Sequence, residues 1–463
     1  MSLANLAETN TGKSFGSRQY RNYVLITLTV IYTFNFLDRI LISVLSRPII
    51  EEFSLTNLQF GVLSGIGFAL FYTSLGIPIA RLSERVSRVK IIGLCAILWS
   101  VATILCGFTV GFYTLLLARL AVGVGEAGCT PPANSLISDY YERDTRPVAL
   151  GVYAMGVMVG GTLAQLGGGY ILNEFTWREA FIYIGAPGVF VGILLMLTVK
   201  EPPRGYSDPP GSQTTERATF RQALKEMSTK PSFWFVCFGT SMATFGGYGL
   251  VSFKSLYIQY TFGLSPGDAA IKYMAPIYLA GAIGTPFAGL LIKKFSPSYV
   301  RSTLWVPAFS FSISAPLLIL AYLTDSIVMM LFWFFIAGFF QYFYVGAAFN
   351  TVQSVVNLNV RATAIAMLLF IMNLIGYGAG PPFVGAIADF QTANWIEATG
   401  MVESLSVNCN PRDSLLSAEL ATKCVEAKAY GMRWASICGA AILFLASAFY
   451  LIAARFYLRD RVV

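Results

Sequence analysis

The sequence predicts an all-α membrane protein with twelve transmembrane helices arranged in two six-helix halves. Hydrophobic residues make up 56% of the 463 residues and charged residues only 12%, whereas soluble proteins carry roughly 25% charged residues. Apolar segments follow one another along nearly the whole chain, and about 20 apolar residues in a helix cross a bilayer. Lys and Arg are concentrated in alternate links between these segments, a pattern that fixes the orientation of a membrane protein.

The predicted helices divide into two domains. They are expected at residues 22–47, 57–80, 90–110, 112–140, 146–172, 178–199, 232–262, 268–293, 300–323, 326–356, 360–389 and 431–457. The domains are an N-terminal bundle at 1–199, a cytoplasmic linker at 200–230, and a C-terminal bundle at 231–463 with an extracytoplasmic loop at 390–430. Within the linker, residues 219–227 are expected to form a short amphipathic helix.

The basic links place both termini in the cytoplasm. The Lys and Arg residues that carry this prediction are Arg81, Arg85, Arg88, Lys90, Arg143, Arg146, Lys293, Lys294, Arg301, Arg361, Arg455, Arg459 and Arg461. The two halves also resemble repeats. Arg146 opens the fifth helix and Gly161 follows 15 positions later, while Arg361 opens the eleventh and Gly376 again follows 15 positions later. Repeats related by an axis along the membrane normal build a central site in transporters.

The link between the second and third helices carries a recognisable motif. It reads Ala80-Arg81-Leu82-Ser83-Glu84-Arg85-Val86-Ser87-Arg88. This resembles the cytoplasmic signature G-x-L-x-D-R-x-G-R of the major facilitator superfamily, with Glu84 where Asp is usual. An acid beside arginines at helix ends suits a conformational latch between the halves, and its predicted residues are Glu84, Arg85, Arg88 and Arg146. A plain basic loop is the alternative, and the matching segment 289–295 has Lys293 where an acid is expected.

Four charged residues lie inside apolar helices of the first half. Arg119 and Glu126 are seven residues apart in the fourth helix, so they share one face at about 10 Å separation. Asp38 and Arg39 are adjacent in the first helix, so their side chains point about 100° apart and cannot both face one neighbour. Because a charge at the bilayer centre costs about 3 kcal/mol, these residues are the predicted proton-coupling site. A static ion pair and snorkelling to the interface are the alternatives.

The second half offers an aromatic lining instead of charges. Aromatic residues crowd the tenth helix between positions 332 and 349, with Gln341 and Asn350 among them. This asymmetry suits an amphiphile with a charged head and an apolar tail, although ordinary lipid-facing aromatics are an alternative. The residues predicted to line the substrate cavity are Phe34, Asn35, Thr130, Tyr248, Lys254, Gln341, Tyr344 and Asn350.

Several chemistries are disfavoured by the sequence. It contains no histidine, so proton chemistry falls to Asp and Glu. It has no phosphate loop of the G-x-x-x-x-G-K type, which argues against ATP-driven transport, and no metal-ligand spacing; we expect no cofactor, no metal and no enzymatic reaction. The net charge of +8 indicates topology rather than nucleic-acid binding. Cys409 and Cys424 lie in the long loop, where a disulfide is expected if that loop is extracytoplasmic.

Taken together, the motifs resemble the spinster family of the major facilitator superfamily. The segments that carry the resemblance are Phe36-Leu37-Asp38-Arg39, the run from Arg119 to Ala127, residues 175–188, and Lys200-Glu201-Pro202-Pro203. The resemblance covers most of the first half and is weaker in the second. It implies the major facilitator fold, proton-linked movement of lysolipids or sphingoid phosphates, and coupling roles for Asp38, Arg39, Arg119 and Glu126.

The resulting hypothesis is a monomeric, proton-coupled transporter of the bacterial inner membrane that works by alternating access. Its partners are an anionic amphiphile, protons and membrane lipids. Glu126 or Asp38 takes a proton, which releases Arg119 or Arg39 from an ion pair. Two alternatives remain open: a symporter of small organic anions that uses Arg39 and Arg119 as carboxylate clamps, and a membrane sensor that transports nothing.

Overall fold

The fold is that of a computed structural model, which describes residues 15–142, 144–207, 219–295, 300–357, 359–407, 409–411, 413 and 416–462. All regular secondary structure in these residues is helical. The twelve long helices are α1 Arg18–Val44, α2 Asn57–Ser83, α3 Arg88–Cys106, α4 Phe112–Tyr140, α5 Arg146–Glu174, α6 Trp177–Thr198, α7 Pro231–Phe262, α8 Pro266–Phe295, α9 Ser302–Leu323, α10 Ile327–Val355, α11 at 361–398 and α12 Ala418–Asp460.

Eleven of these helices are long and apolar enough to cross a membrane. The remaining one, α7, has 32 residues but is less apolar, because Ser, Thr, Gly and Tyr occupy many of its positions. Most of α7 is buried between other helices, so it does not need a lipid-facing surface. A helix inside a bundle can therefore be too polar to be recognised as a membrane span from its hydropathy alone.

Five of the helices contain a break or an irregular turn, one of which is a π-helical turn at Ala269–Met274 in α8. The backbone hydrogen-bond ladder of helix α2 is interrupted at Gly65, and α4 divides into Phe112–Glu126 and Thr130–Tyr140. Similarly, α10 divides into Ile327–Gln341 and Tyr344–Val355. In α11, residues Met372–Gly378 form a π-helical turn. Such turns and breaks are common at functional sites in membrane helices.

The helices form two bundles, α1–α6 and α7–α12. Within the first, α1 packs on α5 and α3 on α6; within the second, α12 packs on α7, α9 and α11. The bundles meet where α2 contacts α11 and where α5 contacts α8. We call the side on which α1 begins and α12 ends the terminal face, and the opposite side the distal face.

The bundles are joined at the distal face. The Asp389 carboxylate of α11 accepts hydrogen bonds from the backbone N–H groups of Asn57 and Leu58, at 2.9 and 2.8 Å, where α2 begins. Deeper in the same interface, a Cβ at Gly65 would lie only 2.8 Å from the carbonyl oxygen of Gly378. Only glycine permits this approach of α2 to α11. At the terminal face, a cavity of about 610 Å³ opens between α8 and α10.

The expected bounds of the last two helices are wrong. Helix α11 continues to Ala398 and α12 begins at Ala418, so the link is about half as long as the predicted loop at 390–430. Residues 418–430 are polar but good helix formers, and Ser417 caps them by accepting a hydrogen bond from Leu420 N–H. A helix that leaves the bilayer tolerates polar residues, so hydropathy misplaces its start.

Two smaller predictions fall in the links. The linker helix is confirmed as Phe220–Ser228, which Thr219 caps through its side chain. A disulfide joins Cys409 to Cys424, so the link between α11 and α12 is tied to the first turns of α12. The rest of the linker at 208–218 lies outside the described residues.

Candidate functional site

A buried ion pair connects the first and fourth helices. The Arg39 guanidinium donates two hydrogen bonds to Glu126 Oε2, from Nη2 at 2.7 Å and from Nε at 3.2 Å. Both residues are buried, with exposed fractions of 5% and 1%. Coulombic attraction is strong in a low-dielectric interior, but each charge has also lost its hydration. The pair is therefore sensitive to any change in the charge of either partner.

Asp38 faces a different neighbour from Arg39, as expected from the helical geometry. Its Oδ2 accepts a hydrogen bond from Thr103 Oγ1 of α3 at 3.2 Å. Its Oδ1 is buried without a hydrogen-bond partner among the described residues. The carboxyl group interacts electrostatically with both Glu126 and Arg119. Asp38 is thus a second carboxyl group with spare capacity to bind a proton.

Arg119 is fully buried in the same region. Its guanidinium lies 5.5 Å from the centre of the Phe68 ring. All three of its side-chain nitrogens lack a hydrogen-bond partner within the described part of the chain. A buried arginine without hydrogen bonds is costly. The structure therefore holds one arginine paired with a carboxylate and one that is available to take a partner.

Glycines in α4 bring these charges together. A Cβ at Gly123 would lie 2.6 Å from the carbonyl oxygen of Phe68, and one at Gly125 would lie 2.6 Å from the backbone nitrogen of Trp99. These glycines let α4 pack directly against α2 and α3. The first part of α4 then ends at Glu126, which places this carboxylate at the break of the helix.

Aromatic rings extend the site into the second bundle. The Arg39 guanidinium lies 4.7 Å from the ring centres of Phe36 and Tyr72 and 4.8 Å from that of Phe68. It also lies 5.7 Å from the ring of Tyr377, in the π-helical turn of α11. The Tyr377 ring packs against Tyr248 of α7 at 4.4 Å. Arg39 therefore contacts Glu126 in its own bundle and an aromatic pair in the other.

Comparisons with known proteins match this architecture. The family model described as Major Facilitator Superfamily matches residues 28–399. A solved structure of a bacterial homolog of the human lysosomal transporter spinster, in an inward-facing and unoccupied conformation, is 40% identical with a TM-score of 0.88. The match covers 97% of this chain and 100% of that one.

The chain belongs to the spinster family of the Major Facilitator Superfamily. It is accordingly a multi-pass membrane transporter of the spinster type. An MFS-type efflux pump of Mycolicibacterium smegmatis is 28% identical over 365 residues, covering 79% of this chain and 84% of the pump. A probable sphingolipid transporter of Arabidopsis thaliana, spinster homolog 1, is 29% identical over 387 residues, covering 76% of each.

Arg88 and Arg146 of the predicted latch in this spinster-type chain contact groups of the first bundle and of the start of the linker. Arg88 is fully buried and pairs with Asp139 of α4 and, at 2.6 Å, with Glu201 after α6. Arg146 donates to the carbonyl oxygen of Ser138 at 2.7 Å. Glu84 and Arg85 lie exposed in the link after α2. These contacts fasten the linker to the first bundle, and a latch between the bundles at this face stays a prediction.

The predicted cavity residues are dispersed. Asn350 lines the cavity at the terminal face, and Asn35 lies 3.5 Å from Arg39. Lys254 is buried against the Phe334 ring at 4.7 Å. The other members are placed as follows: Phe34 and Thr130 are half-buried, Gln341 is buried, Tyr344 lies near Thr244, and Tyr248 packs on Tyr377.

The aromatic residues of α10 also lie in different surroundings. Phe332 and Phe335 are exposed on the outer surface, while Phe334 is buried against Tyr322. The helix therefore presents one face to lipid and another to the core. For the exposed members of the aromatic set, the structure therefore agrees with the alternative interpretation, in which they face lipid.

Three functional contacts are absent from the sequence predictions. Asp389 joins the bundles at the distal face, Tyr377 meets Arg39, and Asp139 pairs with Arg88. Asp139 and Asp389 each follow a long apolar run of their helix, which is a signal that a sequence reading can find. Tyr377 gives no such signal, because a tyrosine in an apolar helix is ordinary and its partner comes from another bundle.

Proposed function

We propose that this chain is a proton-coupled transporter of the bacterial inner membrane that moves an anionic single-chain amphiphile by alternating access. The observation that carries the proposal is the buried Arg39–Glu126 pair, whose arginine also contacts Tyr377 of the second bundle. A single proton on Glu126 changes the interactions of a residue that touches both bundles. Both members of this pair are buried inside long helices of the first bundle, and the arginine contacts the opposite bundle.

Protonation of Glu126 is the coupling step. Burial disfavours the charged form of a carboxyl group, while a neighbouring arginine favours it. With Arg39 at 2.7 Å, the carboxylate is stabilised in the state described here. When the site opens to an acidic compartment, a proton neutralises Glu126 and Arg39 loses its partner. Arg39 then turns toward the substrate or the aromatic pair, and the contact between the bundles weakens.

Asp38 and Arg119 complete the charge balance. Arg119 has three side-chain nitrogens without hydrogen bonds, and Asp38 has one such oxygen, among the described residues. An anionic head group that enters the site binds Arg119 without first breaking an ion pair. Bidentate binding of a carboxylate or phosphate suits a guanidinium. Substrate and proton thereby act on neighbouring arginines of one charge network.

The domains and orientation follow from the same proposal. The bundles at 1–199 and 231–463 rock about the central site, and the linker at 200–230 connects them in the cytoplasm. The terminal face is then cytoplasmic, which the basic links support. The inward-facing conformation of the solved bacterial homolog agrees with a cavity at this face. The Cys409–Cys424 disulfide lies at the distal face, where an oxidising compartment keeps it intact.

The test is uptake into proteoliposomes that contain the purified chain. A fluorescent lysophosphatidic acid is followed under a pH gradient of either orientation and without a gradient. We expect movement of the lipid to depend on the gradient and to be abolished by an uncoupler. Movement of the lipid that ignores the gradient contradicts proton coupling.

The same vesicles distinguish the organic-anion alternative. Arg119 without hydrogen bonds is also suited to a small carboxylate, so a sugar acid is added as a competitor. We expect the unlabelled lysolipid to compete and the sugar acid not to compete. Competition by the sugar acid alone, with uptake of that acid, favours a symporter of small anions instead.

A further inference from the structure

Two cavities lie side by side in the second bundle. The first, of about 610 Å³, lies between the end of α8 and the second part of α10 and includes Lys293 and Asn350. The second, of about 340 Å³, lies between α8, α9 and α10 and includes Trp305 and Phe309. Phe343 contributes to both linings. Its side chain is therefore the partition between the two spaces.

The second cavity opens toward the bilayer. The residues along its rim are apolar and exposed: Phe295 by 43%, Trp305 by 39%, Phe309 by 60% and Ile313 by 43%. In a transporter of twelve spans, an exposed apolar side chain at this depth faces lipid. An acyl chain from the bilayer can thus enter the second cavity without crossing a polar surface.

The first cavity offers a place for a charged head. Lys293 and Asn350 are exposed at its edge, and neither lining contains an acidic residue. Cβ atoms at Gly289 or Gly346 would meet no atom within 4 Å, so the space beside these glycines is open. A cationic edge above an apolar, glycine-lined space matches an anion attached to a single hydrocarbon chain.

Phe343 lies at the break in α10. The two parts of α10 end at Gln341 and begin again at Tyr344, so the break encloses Phe343. Its ring packs on Phe339 and Phe340 at 5.4 and 5.3 Å and is 3% exposed. A break in a helix absorbs changes in backbone torsion that a continuous helix resists.

We infer that Phe343 gates a lateral passage through which a single-chain anionic lipid moves its hydrocarbon chain from the bilayer into the cavity at the terminal face. The chain lies first in the second cavity, and rotation of the Phe343 ring admits it to the first, where Lys293 binds the anionic head. This inference rests on the proposed function, because it supplies the route by which that substrate reaches the transporter.

The test uses a lysophosphatidic acid with a diazirine at the end of its acyl chain. It is added to proteoliposomes of the full chain, irradiated, and the crosslinked residues are located by mass spectrometry. We expect crosslinks at Phe309 and Trp305 in the second cavity and at Ile292 and Gly346 in the first. With Phe343→Trp, the larger ring fills the partition, so first-cavity crosslinks and uptake fall about tenfold while second-cavity crosslinks persist.

Matched variants guard against a folding defect. Phe332→Trp makes the same change on an exposed position of α10 outside both linings, and we expect wild-type crosslinks and uptake. Gly346→Leu fills the first cavity, where no neighbour lies within 4 Å, and lowers uptake. Gly151→Leu, at a glycine of α5 that is equally free of neighbours, leaves uptake unchanged.

The two proposals fail in different ways. If the wild type takes up the lipid and Phe343→Trp keeps both its uptake and its first-cavity crosslinks, the passage is wrong and the transport function stands. If the wild type moves no lipid under any pH gradient, the transport function is wrong. In that case the crosslinks still decide about the passage: their loss from the first cavity in Phe343→Trp supports it, and their absence from both cavities in the wild type overturns it.

Discussion

Arg39 and Arg119 are both buried, but they differ in their hydrogen-bond partners. Arg39 pairs with Glu126 at 2.7 Å and lies among four aromatic rings. Arg119 has no hydrogen-bond partner for its side-chain nitrogens among the described residues. Removing one member of a buried pair strands the other charge, whereas removing an unpaired buried charge relieves its desolvation. The two residues therefore affect stability and transport in different proportions.

Replacement of each arginine by methionine separates these effects. We expect Arg39→Met to destabilise the protein by about 3 kcal/mol, because Glu126 stays buried without its partner. Arg119→Met is expected to leave stability unchanged or to raise it, because a desolvated charge is removed, and nevertheless to abolish uptake of the lysolipid. The measurement is thermal unfolding in detergent together with uptake into proteoliposomes. Full transport by Arg119→Met removes this arginine from the site.

The residues of this site could be predicted because of their chemistry. A charge in an apolar helix is rare and costly, so Asp38, Arg39, Arg119 and Glu126 stand out in the sequence. Their pairing could not be predicted. Arg39 rather than Arg119 pairs with Glu126, although Arg119 and Glu126 share a helix, because the close packing of α4 against α2 and α3 decides which groups meet.

Asp389 connects two helices of different bundles. Its carboxylate accepts from the first two N–H groups of α2 and from the Asn57 side-chain amide at 2.8 Å. The free N–H groups and the dipole at the start of a helix favour a negative charge. An acid of α11 thereby caps α2 and joins the bundles at the distal face. In the proposed cycle, this contact breaks when that face opens.

Asp389→Asn is expected to open the distal face part of the time. An amide loses the negative charge and presents a donor to one of the two N–H groups, which weakens the cap by about 1 kcal/mol. Spin labels at Leu58→Cys and Phe390→Cys, both exposed positions, report the separation of α2 and α11. We expect a longer distance to appear in the variant.

Asp325→Asn is the control for this change. Asp325 is also an acid, but it is 87% exposed and pairs with Arg433 of its own bundle at 2.9 Å. We expect the same distance distribution as in the wild type. An unchanged distribution in Asp389→Asn would show that the cap does not restrain the distal face.

The elements themselves were predictable to a large extent. Runs of apolar residues locate the helices, and the linker helix is found from its amphipathic pattern. The breaks in α4 and α10 and the π-helical turn of α11 give no periodic signal, because packing against neighbouring helices determines where a ladder is interrupted. The early start of α12 could not be predicted from hydropathy, because the sequence of a polar helix outside the bilayer resembles that of a loop.

The two faces of the molecule differ in the features that the structure describes. Contacts of Asp389 and Gly65 join α2 to α11 in the distal half, and the larger cavity opens at the terminal face. The proposed alternating access requires the reverse arrangement during each cycle. Under that proposal, the distal contacts described here are those expected to separate.

A crosslink across the distal face should arrest the cycle. The side chains of Asn57 and Asp389 lie 2.8 Å apart, so Asn57→Cys with Asp389→Cys is expected to form a disulfide under oxidation. Uptake then stops, while binding of lysolipid from the terminal side persists, and reduction restores uptake. Continued uptake by the oxidised double variant would mean that the bundles do not separate there.

In the proposed mechanism, Glu126 carries the proton that drives transport. The most direct measurement records the pH inside proteoliposomes when lysophosphatidic acid is added, for the wild type and for Glu126→Gln. We predict a substrate-dependent proton flux in the wild type and none in the variant, because an amide keeps the size of the side chain but binds no proton. The variant should still exchange lipid down its own gradient, which shows that it is folded. A substrate-dependent proton flux of wild-type size in Glu126→Gln would contradict a coupling role for Glu126.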